Sequence, residues 1–189
     1  MASRPYNLGR RQPAVDRTRA AILSAARQLV LESGPSPSVG LVAHRAGVSR
    51  ITVYNRFGSK DGLIEALRRE LVPEPSGPAV DSSADPRDDL RSRIAAACAR
   101  WAADPDLHRR LQVRGAGSDE SPVDRELAER LAVGDRLRPG CSIKEAADVI
   151  GVLTSFSAFD RLHLGGRRSA GSVAEILCRL AGGILIPSL

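Results

Sequence analysis

The sequence predicts an all-α protein of two parts, a small N-terminal helical head and a larger helical second domain. Three observations predict it. Apolar residues recur at spacings of three and four along most of the chain, and no segment shows a convincing strand alternation. Serine and aspartate cap signals, several followed by proline or glutamate, open one helix after another. Aromatic residues are only 3% of the 189, so the core must come from Leu, Ile, Val and Ala, a composition that suits helix packing better than a β-sandwich.

The elements follow in order. Residues 1–15 read as a flexible basic arm. Ile22, Ala25, Ala26, Leu29 and Val30 lay one apolar stripe on a helix from about Asp16 to Glu32, which Gly34 and Pro35 stop. Ser38 caps a short second helix holding Val42, Ala43 and Ala46 and ending at Gly47. Ser49 caps a third to about Arg56, and Ser59 a fourth through Leu63, Ile64, Leu67 and Leu71. These four helices define a head over residues 16–72. The run PEPSGPAVDSSADP, residues 73–86, breaks all periodicity and reads as a linker to a second domain over 87–189.

In that domain, Asp85-Pro86 and Asp104-Pro105 start helices carrying Leu90, Ile94, Cys98 and Trp101, then Leu107 and Leu111. Ser121-Pro122 starts another with Leu127, Leu131 and Leu137. Ser142-Ile-Lys-Glu145 and Ser172-Val-Ala-Glu175 match the capping box and open the last two. Residues 146–164 are apolar nearly all round, and Val173 to Leu185 carry an unbroken stripe. Two such helices predict a four-helix homodimer interface through Ile150, Leu153, Val173, Ile176, Leu177, Leu180 and Ile184.

Charge separates the two parts. Residues 1–72 hold 12 Arg/Lys against 5 Asp/Glu, a balance of +7, whereas residues 73–189 hold 16 against 17. The overall +6 therefore belongs to the head, which is the part expected to meet a polyanion. No apolar stretch reaches membrane-spanning length, and a cytoplasmic location without membrane contact is expected. Cys98, Cys141 and Cys178 are odd in number and lack C-x-x-C spacing, so they read as buried or incidental thiols. Nucleophile elbow, phosphate loop, dinucleotide fingerprint and zinc-peptidase motifs are all missing. The expectation is no catalytic residue, no cofactor and no metal; His44, His108 and His163 read as structural or, for the last two, as pocket-lining.

The stretch AHRAGVSRITVYNRFGSKDGL, Ala43 to Leu63, joins two short helices through a glycine turn. That is the layout of a helix-turn-helix, whose second helix enters the major groove. Val48, Val53 and Phe57 are expected to pack inward. Ser49, Arg50, Thr52, Tyr54 and Asn55 then face outward with the hydroxyls, cation and amide that phosphates and base edges require.

The run from Ser38 to Leu63 resembles the DNA-binding signature of the TetR family of bacterial transcriptional regulators. The A-x-x-A-G-V-S turn, the T-x-Y of the recognition helix and the F-x-S-K before the next helix carry the resemblance, which covers about residues 14–72. It implies a helix-turn-helix head, a helical ligand and dimer domain, and a homodimeric repressor on a palindromic operator, released by an unknown small-molecule effector. It also implies phosphate contacts from Ser38, Tyr54 and Lys60, with Ser49 near the backbone, and base-edge contacts from Arg50, Ile51, Thr52 and Asn55. Ile51 and Gly40 depart from the family's usual residues. Two other readings stand beside this one: a metabolite-binding protein or enzyme with a vestigial helix-turn-helix, and a DNA-binding regulator governed by a protein partner. Trp101, Leu107, Leu111, Phe156 and Phe159 are candidate walls of an effector pocket, with His108 or Arg114 as polar anchors. Arg10, Arg11, Arg17 and Arg19 are candidates to follow the minor groove or adjacent phosphates.

Overall fold

The structure, a computed structural model, describes residues 12–71, 85–111 and 121–186. The chain divides into two compact units, Met1–Leu71 and Val72–Leu189.

The first unit is made of α1 (Gln12–Ser33), α2 (Val39–Arg45), α3 (Arg50–Phe57) and α4 (Lys60–Leu71). α1 begins four residues before Asp16, inside the stretch expected to be an arm. Its predicted stripe is the core: Ile22, Ala26 and Val30 are fully buried, as are Val42 of α2 and Leu63 of α4, with Val53 of α3 at 1% exposure. α2 packs on both α1 and α3, and α4 closes the bundle against α1 and α3. Three serines start the last three helices as expected. Ser38 Oγ accepts from the Leu41 N–H at 3.2 Å, Ser49 Oγ from Thr52 at 3.1 Å and Ser59 Oγ from Gly62 at 2.9 Å. Such caps contribute about 1 kcal/mol each, which matters for helices too short to stand alone.

The second unit holds α5 (Pro86–Ala103), α6 (Pro105–Arg110), α7 (Pro122–Val133), α8 (Ile143–Leu153), α9 (Phe156–His163) and α10 (Ala170–Ala181). Asp85 and Asp104 cap α5 and α6 ahead of their prolines, as the sequence indicated. Pro86, counted in the linker from sequence, is thus already helical; the rest of that linker, apart from Asp85, lies outside the described residues. The main pairings are α7 on α8 and α10 on α5. Leu90, Ile94, Cys98 and Trp101 of α5 are all buried.

Three expectations are corrected. The apolar run 146–164 is two helices, because Thr154 Oγ1 turns back onto the Ile150 carbonyl at 2.9 Å and Ser155 caps α9 by accepting from Ala158. What looked apolar all round in one helix is therefore two stripes, Ala146, Ala147, Ile150 and Leu153 on α8, then Phe156 and Phe159 on α9. α10 takes the upstream serine as its cap: the Ser172 N–H itself donates to Ser169 Oγ at 3.2 Å, so Ser172 lies inside the helix. Leu137 is not on α7, which ends at Val133; the following Asp135 adopts φ of +50°, and Leu137 forms an isolated antiparallel bridge with Leu185.

Arginine–carboxylate pairs tie the second unit's helices together. Arg93 Nε reaches Asp124 Oδ1 at 2.6 Å, Arg130 meets Asp89 at 2.6 Å and Arg109 meets Asp160 at 2.6 Å. Burial pushes the Asp124 carboxyl above its ordinary range, only partly offset by Arg93.

Candidate nucleic-acid interface

The turn between α2 and α3 is built on Gly47, whose φ of +66° lies in the left-handed region that a side chain disfavours. Its geometry is fixed by the Val48 N–H donating to the Ala43 carbonyl at 3.0 Å and Ala46 to Val42 at 2.9 Å. Ala43 and Val53 are buried where α2 and α3 meet, while Val48 and Phe57 are half-buried. Packing of Val53 leaves Ile51 and Asn55, four residues apart, side by side on the opposite face of α3.

That outer face has the chemistry of a duplex reader. Ser38, Ser49, Arg50, Ile51, Tyr54 and Asn55 are exposed, whereas Thr52 and Lys60 are half-buried. Ile51 is 70% exposed, an apolar side chain with nothing of its own protein to cover it and the right character for a thymine methyl. Thr52 is less free than the sequence indicated, since its hydroxyl lies 2.9 Å from Ser49 Oγ. Ser38 and Ser49 each accept a helix N–H group, and Ser38 still has its hydroxyl proton to donate.

No Asp or Glu occurs between Ser33 and Lys60. In that stretch Arg45 is matched by Glu32 of α1 at 2.7 Å. The side chains of Arg50, Tyr54, Asn55, Arg56 and Lys60, in contrast, make no hydrogen bond or ion pair among the described residues. Cations held on a folded surface without counter-charges are free to displace the counterions of a phosphate backbone.

Lys60 opens α4, where unsatisfied N–H groups and the helix dipole already favour a phosphate. The junction that places it depends on Gly62, a residue the sequence reading passed over. A Cβ at Gly62 would overlap the carbonyl oxygen of Phe57, so α3 and α4 approach closely only because the side chain is missing. Its signal in the sequence was a glycine inside an otherwise helical pattern. Arg19 of α1 lies over the Phe57 ring at 5.2 Å and braces the same end of α3. Arg17 is exposed; Arg10 and Arg11 lie outside the described residues.

In the second unit the predicted pocket walls are packed on one another. Trp101 meets His108 edge-on at 4.8 Å and Phe156 at 5.6 Å, and Phe159 stacks on His163 at 4.8 Å. The Trp101 indole donates to the Thr154 carbonyl at 2.9 Å. Leu107, His108, Leu111 and Phe159 are at most 1% exposed, so this set is core; Arg114 lies outside the described residues. A crevice of about 320 Å³ opens elsewhere, between α5 and α10, with Leu90, Ile94 and Leu185 among its apolar lining and Arg87, Arg91 and Arg179 as its charged groups. The predicted dimer residues divide likewise. Ile150, Leu153, Val173, Leu177 and Ile184 are buried within the protomer, Ile176 is half-buried and Leu180 is 58% exposed. The buried five face inward because the second unit's own helices cover them. Among the described residues no group of acidic, histidine and cysteine side chains is placed to hold a metal, and no helix is long and apolar enough to cross a membrane.

The first unit is a helix-turn-helix head with an exposed, basic second helix, and the second is a separate helical unit. Residues 22–67 match the family model for bacterial regulatory proteins of the tetR family. Over 83 residues it is 35% identical to the HTH-type transcriptional regulator BetI of Burkholderia cenocepacia, a match covering 41% of this chain and 43% of BetI. The likeness thus spans less than half of that relative. Solved structures share the fold over greater length. NalD, the secondary repressor of the MexAB-OprM multidrug efflux pump in Pseudomonas aeruginosa, superposes with a TM-score of 0.66 at 24% identity, covering 94% of this chain and 100% of NalD. TylP, a TetR regulator from Streptomyces fradiae, does so with a TM-score of 0.60 at 22% identity, covering 91% and 88%.

Proposed function

We propose that this protein is a transcriptional repressor that binds a palindromic operator as a homodimer and leaves it when a small molecule occupies the second unit. The observation that carries the reading is the face of α3 and the start of α4, where Arg50, Tyr54, Asn55, Arg56 and Lys60 are unpaired within a stretch free of carboxylates. Tyr54 and Lys60 position the head on phosphates, while Arg50, Ile51 and Asn55 read base edges. The exposed Leu180 of α10 and Val152 of α8, 58% and 63% accessible, supply apolar surface for a second copy. The crevice between α5 and α10 offers room for an effector. Effector and operator then weaken each other's binding by the same factor, typically ~1–3 kcal/mol of coupling.

Titration of labelled duplexes selected from random sequence by the protein itself tests the reading. Binding should tighten steeply as salt is lowered, and the selected sequence should contain two inverted half-sites on one face of the duplex. Failure to enrich any sequence, with no salt-dependent binding to DNA, would remove the DNA-binding assignment.

A further inference from the structure

Gly40 sits in the first turn of α2 with no left-handed backbone angle to require it. Glycine is a poor helix former, so its presence needs another reason, and the space beside it supplies one. A Cβ placed on Gly40 would stand 2.8 Å from Nη2, 3.0 Å from Nε and 3.1 Å from Cζ of Arg50. Carbon and nitrogen atoms that are not bonded do not approach so closely without strain. The volume a side chain would fill is thus taken by the guanidinium of the first residue of the recognition helix. The guanidinium makes no hydrogen bond or ion pair among the described residues, so all of its donors remain available while its position is already restricted.

We propose that Gly40 is a positioning residue for DNA recognition: the bare surface it leaves on α2 seats the Arg50 guanidinium, and this fixes the side from which Arg50 meets the duplex. The inference rests on the DNA-binding reading above and adds a determinant of specificity that makes no base contact itself. Ordering a long, flexible side chain before binding removes part of the entropy loss that contact would otherwise incur. Any side chain at position 40 pushes the guanidinium away, and the displaced head group, being the far end of a flexible chain, moves without disturbing the fold.

Stability and recognition therefore respond differently to Gly40→Ala. The melting temperature should be no lower than wild type, because alanine favours the helix. Affinity for the selected operator should fall about 3- to 10-fold, and base preference should relax at the same symmetric pair of positions that Arg50→Ala relaxes. In an Arg50→Ala background, Gly40→Ala should have no further effect, which a four-variant cycle reads directly. Gly40→Ser should behave as Gly40→Ala does, giving a second substitution should either one fold poorly. Equal losses from Gly40→Ala with and without Arg50, or unchanged affinity and base preference in both position-40 variants, would overturn the proposal while leaving the DNA-binding reading intact. A wild-type protein that selects no operator would overturn both.

Discussion

In the second unit Arg93, Arg130 and Arg109 each meet a carboxylate on a neighbouring helix, at Asp124, Asp89 and Asp160, whereas in the head Arg45 is matched by Glu32 but the side chains of Arg50, Arg56 and Lys60 have no such partner among the described residues. The same residue type thus does two kinds of work in one chain. Where arginine and aspartate pair, partly out of water, they fix how helices meet. Where a cation is left alone on a surface, its field is available to something outside the protein. The net charges of the two sequence segments, +7 and −1, express the same difference, because the second segment carries about as many carboxylates as cations and the head does not.

The largest effect should come from breaking an internal pair. Asp124 has a side chain 6% exposed and Arg93 one of 23%, so Asp124→Ala leaves a mostly buried guanidinium without its counter-charge and should lower the stability of the second unit by about 3 kcal/mol. Trp101 is the sole tryptophan and all three cysteines lie beyond residue 72, so its fluorescence and thiol labelling report on this unit alone. Burial and the neighbouring Cys178 push the Cys98 thiol up to about 11, so Cys98 should label only as the unit opens, and faster in Asp124→Ala. An unchanged denaturation midpoint would show that the pair is incidental.

Next in size is Gly62→Ala, where the new Cβ meets the backbone of Phe57 rather than a yielding side chain. Overpacking of this kind should cost the head about 2 kcal/mol and weaken DNA binding, with the Trp101 transition unmoved. A variant that binds DNA as wild type does would mean that the α3–α4 junction adjusts freely.

Leu180→Arg is smaller still in its effect on the fold. Leu180 is 58% exposed, so the protomer should change by no more than ~0.5 kcal/mol, yet wild type should sediment as the proposed dimer and Leu180→Arg as a monomer. Leu177 is 2% exposed, and an arginine there should instead unfold the unit. Dimers persisting in Leu180→Arg would move the interface away from this face of α10.

These differences also explain what the sequence made legible. The head was readable because each of its signals is local: Ser38, Ser49 and Ser59 cap helices three residues downstream, and Gly47 needs its own φ angle. Gly62 was missed because its role depends on an oxygen of another helix, which no periodicity reveals. In the second unit the stripes were right but their partners were not. Ile150, Leu153, Val173, Leu177 and Ile184 have the same character whether a stripe faces its own core or a second copy, and only the packing of α10 on α5 and of α8 on α7 decides between them. Trp101, Leu107, Leu111, Phe156 and Phe159 were likewise chosen as pocket walls for being large and apolar, properties that also suit them to fill the core. Asp124 and its partner Arg93 gave no sign in sequence, since the pair joins residues 31 apart.

The contrast between paired and unpaired cations can be tested without knowing the operator, on a duplex of random sequence, by the slope of log affinity against log salt. Lys60→Ala and Arg56→Ala should each reduce the slope by about 0.9, whereas Arg45→Ala, which removes a cation already matched by Glu32, should leave the slope nearly unchanged. A slope insensitive to Lys60 and Arg56, or one that falls as much for Arg45 as for them, would contradict the account.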